Sequence, residues 1–239
     1  MALIDVGGSV RYGEELEVGK VDAWLRALLP HLSSGLPEVT QYSGGASNWT
    51  YRLKYASHDL ILRRPPAGTK AKSAHDMVRE YTVQDALKAV FPGVADMIGL
   101  CTDPSVIGCD FYVMRRLEGI IPRANLPKEL TLDEAQVRQL CTNTLDQLIA
   151  LHQVDVRAAG LRTAQLHGPR SAAELEVLRA AGIDVILARR VGEPVEDASL
   201  RLLIDGDVPG SGTAFAVDRL DASTLPDRWI LAGGLDADN

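Results

Sequence analysis

Near Leu161 the spacing of apolar residues changes character, and the patterns on its two sides belong to different layer architectures. Before it, residues 38–43, 48–55 and 59–63 read as short strands, separated by Gly44-Gly45-Ala46-Ser47 and by Ser57-His58. Two turns of this kind in succession predict an antiparallel meander. After it, strand and helix alternate. Residues 163–166 read as a strand, and 171–181 as a helix capped by Ser171 with Glu174 and ended by Gly182. Residues 184–191, 200–205 and 228–232 are near-continuous apolar runs, the pattern of parallel strands buried on both faces. A boundary near residue 160 follows, giving a 1–160 part and a 161–239 part, with no internal repeat.

The remaining elements fill in around that boundary. Val21, Trp24, Leu25, Leu28, Leu29 and Leu32 recur at helical spacing until Ser33-Ser34-Gly35 and Pro37 end the pattern. A second helix is predicted over about 73–90, stopped by Pro92-Gly93. A strand pair surrounds Asp103-Pro104 and ends in Phe111-Tyr112-Val113-Met114. Thr131 with Glu134 forms a capping box for a long helix reaching His152.

With 46% hydrophobic and 24% charged residues, a chain of 239 residues can bury one large core or two small ones. The net charge of -7 gives no general attraction to nucleic acid or to anionic membranes. A local exception is Leu62-Arg63-Arg64 with Lys70 and Lys72, which suits either a solvated face or a phosphorylated ligand. Cys101, Cys109 and Cys141 have neither the paired spacing of a zinc site nor the density of a disulfide scaffold, so a reducing cytoplasm is expected. No leader and no apolar run long enough to span a bilayer is read.

Two constellations carry candidate chemistry. In the first, the turn Ser43-Gly44-Gly45-Ala46-Ser47-Asn48 joins two strands. Its backbone N–H groups suit phosphate oxygens, although a plain hairpin turn uses the same residues. Arg63 ends the following strand and Glu80 lies in the next helix, which is the order of a cation and its helix-borne acid in a kinase-like small lobe. The stretches Tyr42 to Asn48, Leu60-Ile61-Leu62-Arg63-Arg64-Pro65-Pro66, Arg79-Glu80-Tyr81, Val106-Ile107-Gly108, Phe111 to Met114 and Leu148 to Asp155 resemble the aminoglycoside phosphotransferase-like family. The likeness is greatest to its branch related to the kinase domain fused to some acyl-CoA dehydrogenases. The resemblance implies ATP and Mg2+ as cofactors and a small-molecule phosphate acceptor. It makes Gly44, Gly45, Ser47, Asn48, Arg63, Glu80 and Met114 nucleotide contacts, with Met114 beginning the hinge beside adenine. The family's His-Gly-Asp loop has no match, because His167-Gly168 continues as Pro169-Arg170. The magnesium ligands are therefore unassigned, and weak or absent turnover is expected.

In the second constellation, Gln165-Leu166-His167-Gly168, Leu202-Leu203-Ile204-Asp205, Gly210-Ser211-Gly212-Thr213 and Ile230 to Leu235 resemble phosphoribosylanthranilate isomerase in order and spacing. The resemblance implies strands four to seven of an eight-stranded βα barrel and needs no cofactor. Asp205 would be the general acid of an Amadori rearrangement, with Gly210, Gly212, Gly233 and Gly234 at the substrate phosphate. Read without the family, Asp205 is equally a strand-ending turn former and the glycines tight loops. The family's base cysteine and its first three strands have no counterpart, so uncovered sheet edges and self-association are expected. The expected fold class is therefore a kinase-like α+β lobe followed by a partial βα barrel. Three functional readings stand: a phosphotransferase-type nucleotide binder, an isomerase fragment, or a product of fusion or recombination. In the first, Asp205 and Asp207 are the substitutes for the missing catalytic acids.

Overall fold

Apolar residues along Val18–Leu28 fall on one side of helix α1, and Val21 and Leu25 are buried against a sheet. The computed structural model describes residues 7–43, 48–68, 75–121, 125–127, 129–190, 192–193, 199–205, 225 and 229–231. The sheet under α1 has five strands: β1 (Glu38–Tyr42), β2 (Trp49–Lys54), β3 (Asp59–Arg64), β4 (Met97–Cys101) and β5 (Phe111–Arg115). Its order is β1-β2-β3-β5-β4 and every pairing is antiparallel. Alternation puts Tyr51 and Leu53 of β2, Leu60 and Leu62 of β3, and Phe111 and Val113 of β5 into one core with Val21 and Leu25. The opposite face receives Thr50, Ile61, Arg63, Tyr112 and Met114. Gly99 of β4 exists because a side chain there meets α1: an added Cβ would lie 2.6 Å from Leu28 Cδ1.

Helix α2 spans Met77–Lys88, shorter than the 73–90 read from the sequence. Asp76 is its N-cap and accepts a hydrogen bond from Arg79 N. Between β4 and β5 lies a one-turn helix, α3 (Pro104–Ile107), with Asp103 as its N-cap and Gly108 closing it at φ 79°. The long helix α4 (Glu134–His152) is capped by Asp133 with Gln136 rather than by Thr131 with Glu134. The Asp133 carboxylate captures Gln136 N and the Gln136 side chain returns to Asp133 N, so the helix begins two residues later than a Thr131 cap requires.

Backbone contacts divide the chain into two compact units, Met1–Val154 and Asp155–Asn239. The second holds β6 (Thr163–His167), α5 (Ala172–Ala180), β7 (Asp184–Arg190), β8 (Arg201–Asp205) and β9 (Trp229–Leu231). Its sheet runs in the order β6-β7-β8-β9 and is wholly parallel. Ser171 and Glu174 make the capping box expected for α5. Leu175 of α5 packs with Val185, Leu187, Leu202 and Ile204. Burial alternates along β6 and β8 instead of covering both faces, because α5 lies over one face while Leu203 and Asp205 on the other stay half-buried. Among the described residues no helix is long and apolar enough to cross a membrane.

Candidate functional site

The chemistry of the first unit gathers on the sheet face opposite α1. Arg63 near the end of β3 stands directly across from Tyr112 of β5, and its Cζ lies 6.0 Å from the centre of the Tyr112 ring. Glu80, in the first turn of α2, approaches the same place, with Oε2 3.6 Å from Arg63 Nη2. The pair is loose because Glu80 has other donors. Asn48 Nδ2 donates to Glu80 Oε1 at 2.7 Å, and the Tyr112 hydroxyl donates to Oε2 at 3.1 Å. Gln84, one turn further along α2, donates from Nε2 to the Tyr112 oxygen at 3.1 Å. Burial pushes the Tyr112 phenol up from its ordinary value, which keeps it protonated and a donor.

Arg63 is the cation of this cluster that retains binding capacity. Its Nε is buried and has no hydrogen-bond partner among the described residues, while about a third of the side chain is exposed. A guanidinium held by one carboxylate at long range, with part of its side chain open to solvent, fits an incoming phosphate oxygen. Its neighbour Arg64 is differently placed, with its Cζ 5.1 Å from the centre of the Trp49 ring.

Four of the residues implied by the kinase-like resemblance can be placed. Asn48, Arg63 and Glu80 converge. Met114 lies on the same strand and face as Tyr112, opposite Ile61 of β3 and Met97 of β4. Gly44, Gly45 and Ser47 lie outside the described residues. Tyr112, Gln84 and His75 belong to the cluster although sequence reasoning did not single them out. The signal for Tyr112 was its cross-strand position to Arg63, legible only once β5 is known to sit between β3 and β4. Among the described residues no three His, Cys, Asp or Glu side chains gather as a metal-binding group.

In the second unit Asp205 ends β8, level with Arg190 of β7, at the carboxyl edge of the parallel sheet. His167 ends β6 at the same edge, followed by Gly168 at φ 76°. These residues, with Ala188, Arg189 and Glu193, line a cavity of about 310 Å³. Arg189 is buried and donates to the carbonyl of Gly168 at 2.8 Å, tying the end of β7 to the loop after β6. Asp207, Gly210, Gly212, Gly233 and Gly234 lie outside the described residues.

The profile of the phosphotransferase enzyme family (APH) matches residues 38–203. The match begins at β1 and ends inside β8, so it is not confined to the stretch before Leu161. Acyl-CoA dehydrogenase family member 11 of Gallus gallus is 38% identical over 167 residues, covering 68% of this chain and 21% of that protein. Acyl-CoA dehydrogenase family member 10 of Mus musculus is 34% identical over 141 residues, covering 59% and 13%. The chain thus spans a small part of these relatives. N-(5'-phosphoribosyl)anthranilate isomerase of Streptococcus pneumoniae is 28% identical over 158 residues, covering 66% of this chain and 73% of that enzyme. A crystal structure from Ralstonia eutropha JMP134, provisionally assigned as an aminoglycoside phosphotransferase, is 28% identical with a TM-score of 0.49, covering 61% and 41%.

Proposed function

The chain belongs to the phosphotransferase enzyme family, and on that premise we propose that its first unit is a kinase-like nucleotide-binding lobe with weak or no turnover. Arg63 neutralises phosphate oxygens, Glu80 keeps Arg63 over the sheet face, and Met114 of β5 begins the hinge beside which the base lies. The observation that carries this reading is the Arg63–Glu80 pair across β3 and α2, at 3.6 Å, with Arg63 Nε unanswered among the described residues.

The described residues fit nucleotide phosphate better than they fit magnesium. Glu80 is the cluster's acid and already accepts from Asn48 and Tyr112, which leaves it poorly placed to take a metal ion. A phosphoryl transfer also needs a base for the acceptor hydroxyl, and His167-Gly168-Pro169-Arg170 supplies no carboxylate where the family has one. The first unit therefore binds ATP, with a small hydroxyl-bearing acceptor as the substrate class if turnover occurs.

Calorimetric titration and thermal shift with ATP test it. Saturable binding is expected in the parent and at least a tenfold loss in Arg63→Gln, roughly the effect of one charge-assisted contact. A folded sample unmoved by millimolar ATP would sink the proposal. Any ATP consumption should then be measured in Asp205→Asn and Asp207→Asn, and activity that survives both changes excludes these residues as the catalytic acids.

A second reading is favoured by the edge of the parallel sheet. Asp205 ends its strand on the face where βα enzymes place acids, beside the 310 Å³ cavity. This supports an isomerase-type barrel fragment with Asp205 as general acid, whether inherited alone or through fusion or recombination. Growth of an isomerase-deficient host without tryptophan tests it, and failure to grow with the protein expressed counts against it.

A further inference from the structure

His75 is the one non-glycine residue at positive φ among the described residues, at φ 59°. It immediately precedes Asp76, the N-cap of α2. Such a backbone is uncommon for a residue with a side chain and persists where surrounding contacts hold it. The contact here is specific, since His75 Nδ1 lies 2.7 Å from Asn48 Oδ1. Asn48 Nδ2 is committed to the Glu80 carboxylate at 2.7 Å, and an ionised carboxylate only accepts. The amide oxygen must therefore face His75, and His75 must donate from Nδ1. One chain of hydrogen bonds thus runs from His75, two residues before α2, through Asn48, just before β2, back to the acid of α2.

We propose that His75 is a positioning residue: by holding Asn48 against Glu80 it fixes the carboxylate that keeps Arg63 in place for a nucleotide phosphate. The inference rests on the nucleotide-binding reading above. Without the His75 donor, Asn48 can rotate away, Glu80 loses its shortest hydrogen bond, and the carboxylate is no longer fixed beside Arg63. Arg63 then loses the partner that orients it, and phosphate meets a cation that must first be ordered.

The test separates the imidazole from the backbone it sits on. His75→Gly removes the donor but accepts positive φ readily, so its unliganded melting temperature should be equal to or above that of the parent. ATP affinity measured by calorimetry should fall about tenfold, as for a lost orienting hydrogen bond, and millimolar imidazole should restore part of it. Asn48→Ala should weaken ATP to a similar extent, and the double variant no further than the weaker single one, because both act through Glu80. Parental ATP affinity in His75→Gly overturns the inference while leaving the nucleotide reading intact, provided Arg63→Gln still loses binding. Additive losses in the double variant also overturn it. A parent that binds no ATP overturns both.

Discussion

Phe111→Ala should cost the first unit about 4 kcal/mol. Phe111 is fully buried and opens β5. Its ring meets Trp24 of α1 edge to face, with centroids 5.0 Å apart and planes at 68°. Returning a buried phenyl ring to water loses about 2–3 kcal/mol of transfer free energy. The remaining walls, α1 on one side and β3 and β5 on the other, collapse only in part, which brings Phe→Ala changes to about 3–5 kcal/mol. That range already contains the edge-to-face term of about 0.5–1.5 kcal/mol. Against an ordinary stability of about 5–15 kcal/mol, the variant keeps a narrow margin. Urea unfolding followed by tryptophan fluorescence reads it, since Trp24 and Trp49 report on the first unit and Trp229 on the second. Phe111→Leu, which refills most of the space, should lose no more than about 1.5 kcal/mol. If Phe111→Ala costs under about 1.5 kcal/mol, or if both variants lose the same amount, then the ring is not packed between helix and sheet as described.

Further expectations concern other elements. Leu202→Ala empties the second core, where Leu202 is 2% exposed. It should shift the Trp229 transition by about 2–5 kcal/mol, and an unchanged transition would refute its place in that core. Gly99→Val drives a side chain into Leu28 and into Trp24, whose Cη2 is 3.2 Å from an added Cβ. About 1–3 kcal/mol of overpacking is expected, with altered Trp24 emission, and an unchanged melt would refute the close approach of α1 to β4. The Arg26 guanidinium, outweighing the opposing effect of burial and helped by the Tyr55 hydroxyl, holds the Asp22 carboxyl below its ordinary value. A lowered carboxyl contributes stability above the unfolded value, about pH 4, and loses it as pH falls through the folded one. The melting-temperature advantage of the parent over Asp22→Asn should therefore shrink in acid, and an advantage constant from neutral to strongly acid pH would show that the charge is not its source.

Local signals carried the elements well where a single pattern was present. The 3.6-residue period from Val21 to Leu32, the turn at Ser57-His58 and the Ser171 to Glu174 box each correspond to the observed α1, the β2–β3 hairpin and the start of α5. They failed where two local solutions compete. Thr131 with Glu134 and Asp133 with Gln136 both satisfy the capping pattern, and only the folded backbone shows that Asp133 takes the role. The apolar runs of β7 and β8 gave strand type and parallel pairing, but not the one-sided cover that makes burial alternate along β8.

The sequence by itself determined the inventory: a strand cation at Arg63, a helix acid at Glu80, an acid ending a later strand at Asp205, and a change of pattern near Leu161. Each of these is written in residue type and short-range spacing, which the chain carries before it folds. Only the tertiary structure decided what the inventory does together. β5 enters the sheet between β3 and β4, against chain order, and so sets Tyr112 across from Arg63. His75 and Asn48 meet across 27 residues, and Asn48 and Glu80 across 32. Contacts at that separation depend on closing loops whose cost is recovered only when the whole sheet and α2 are in place, so no local period records them.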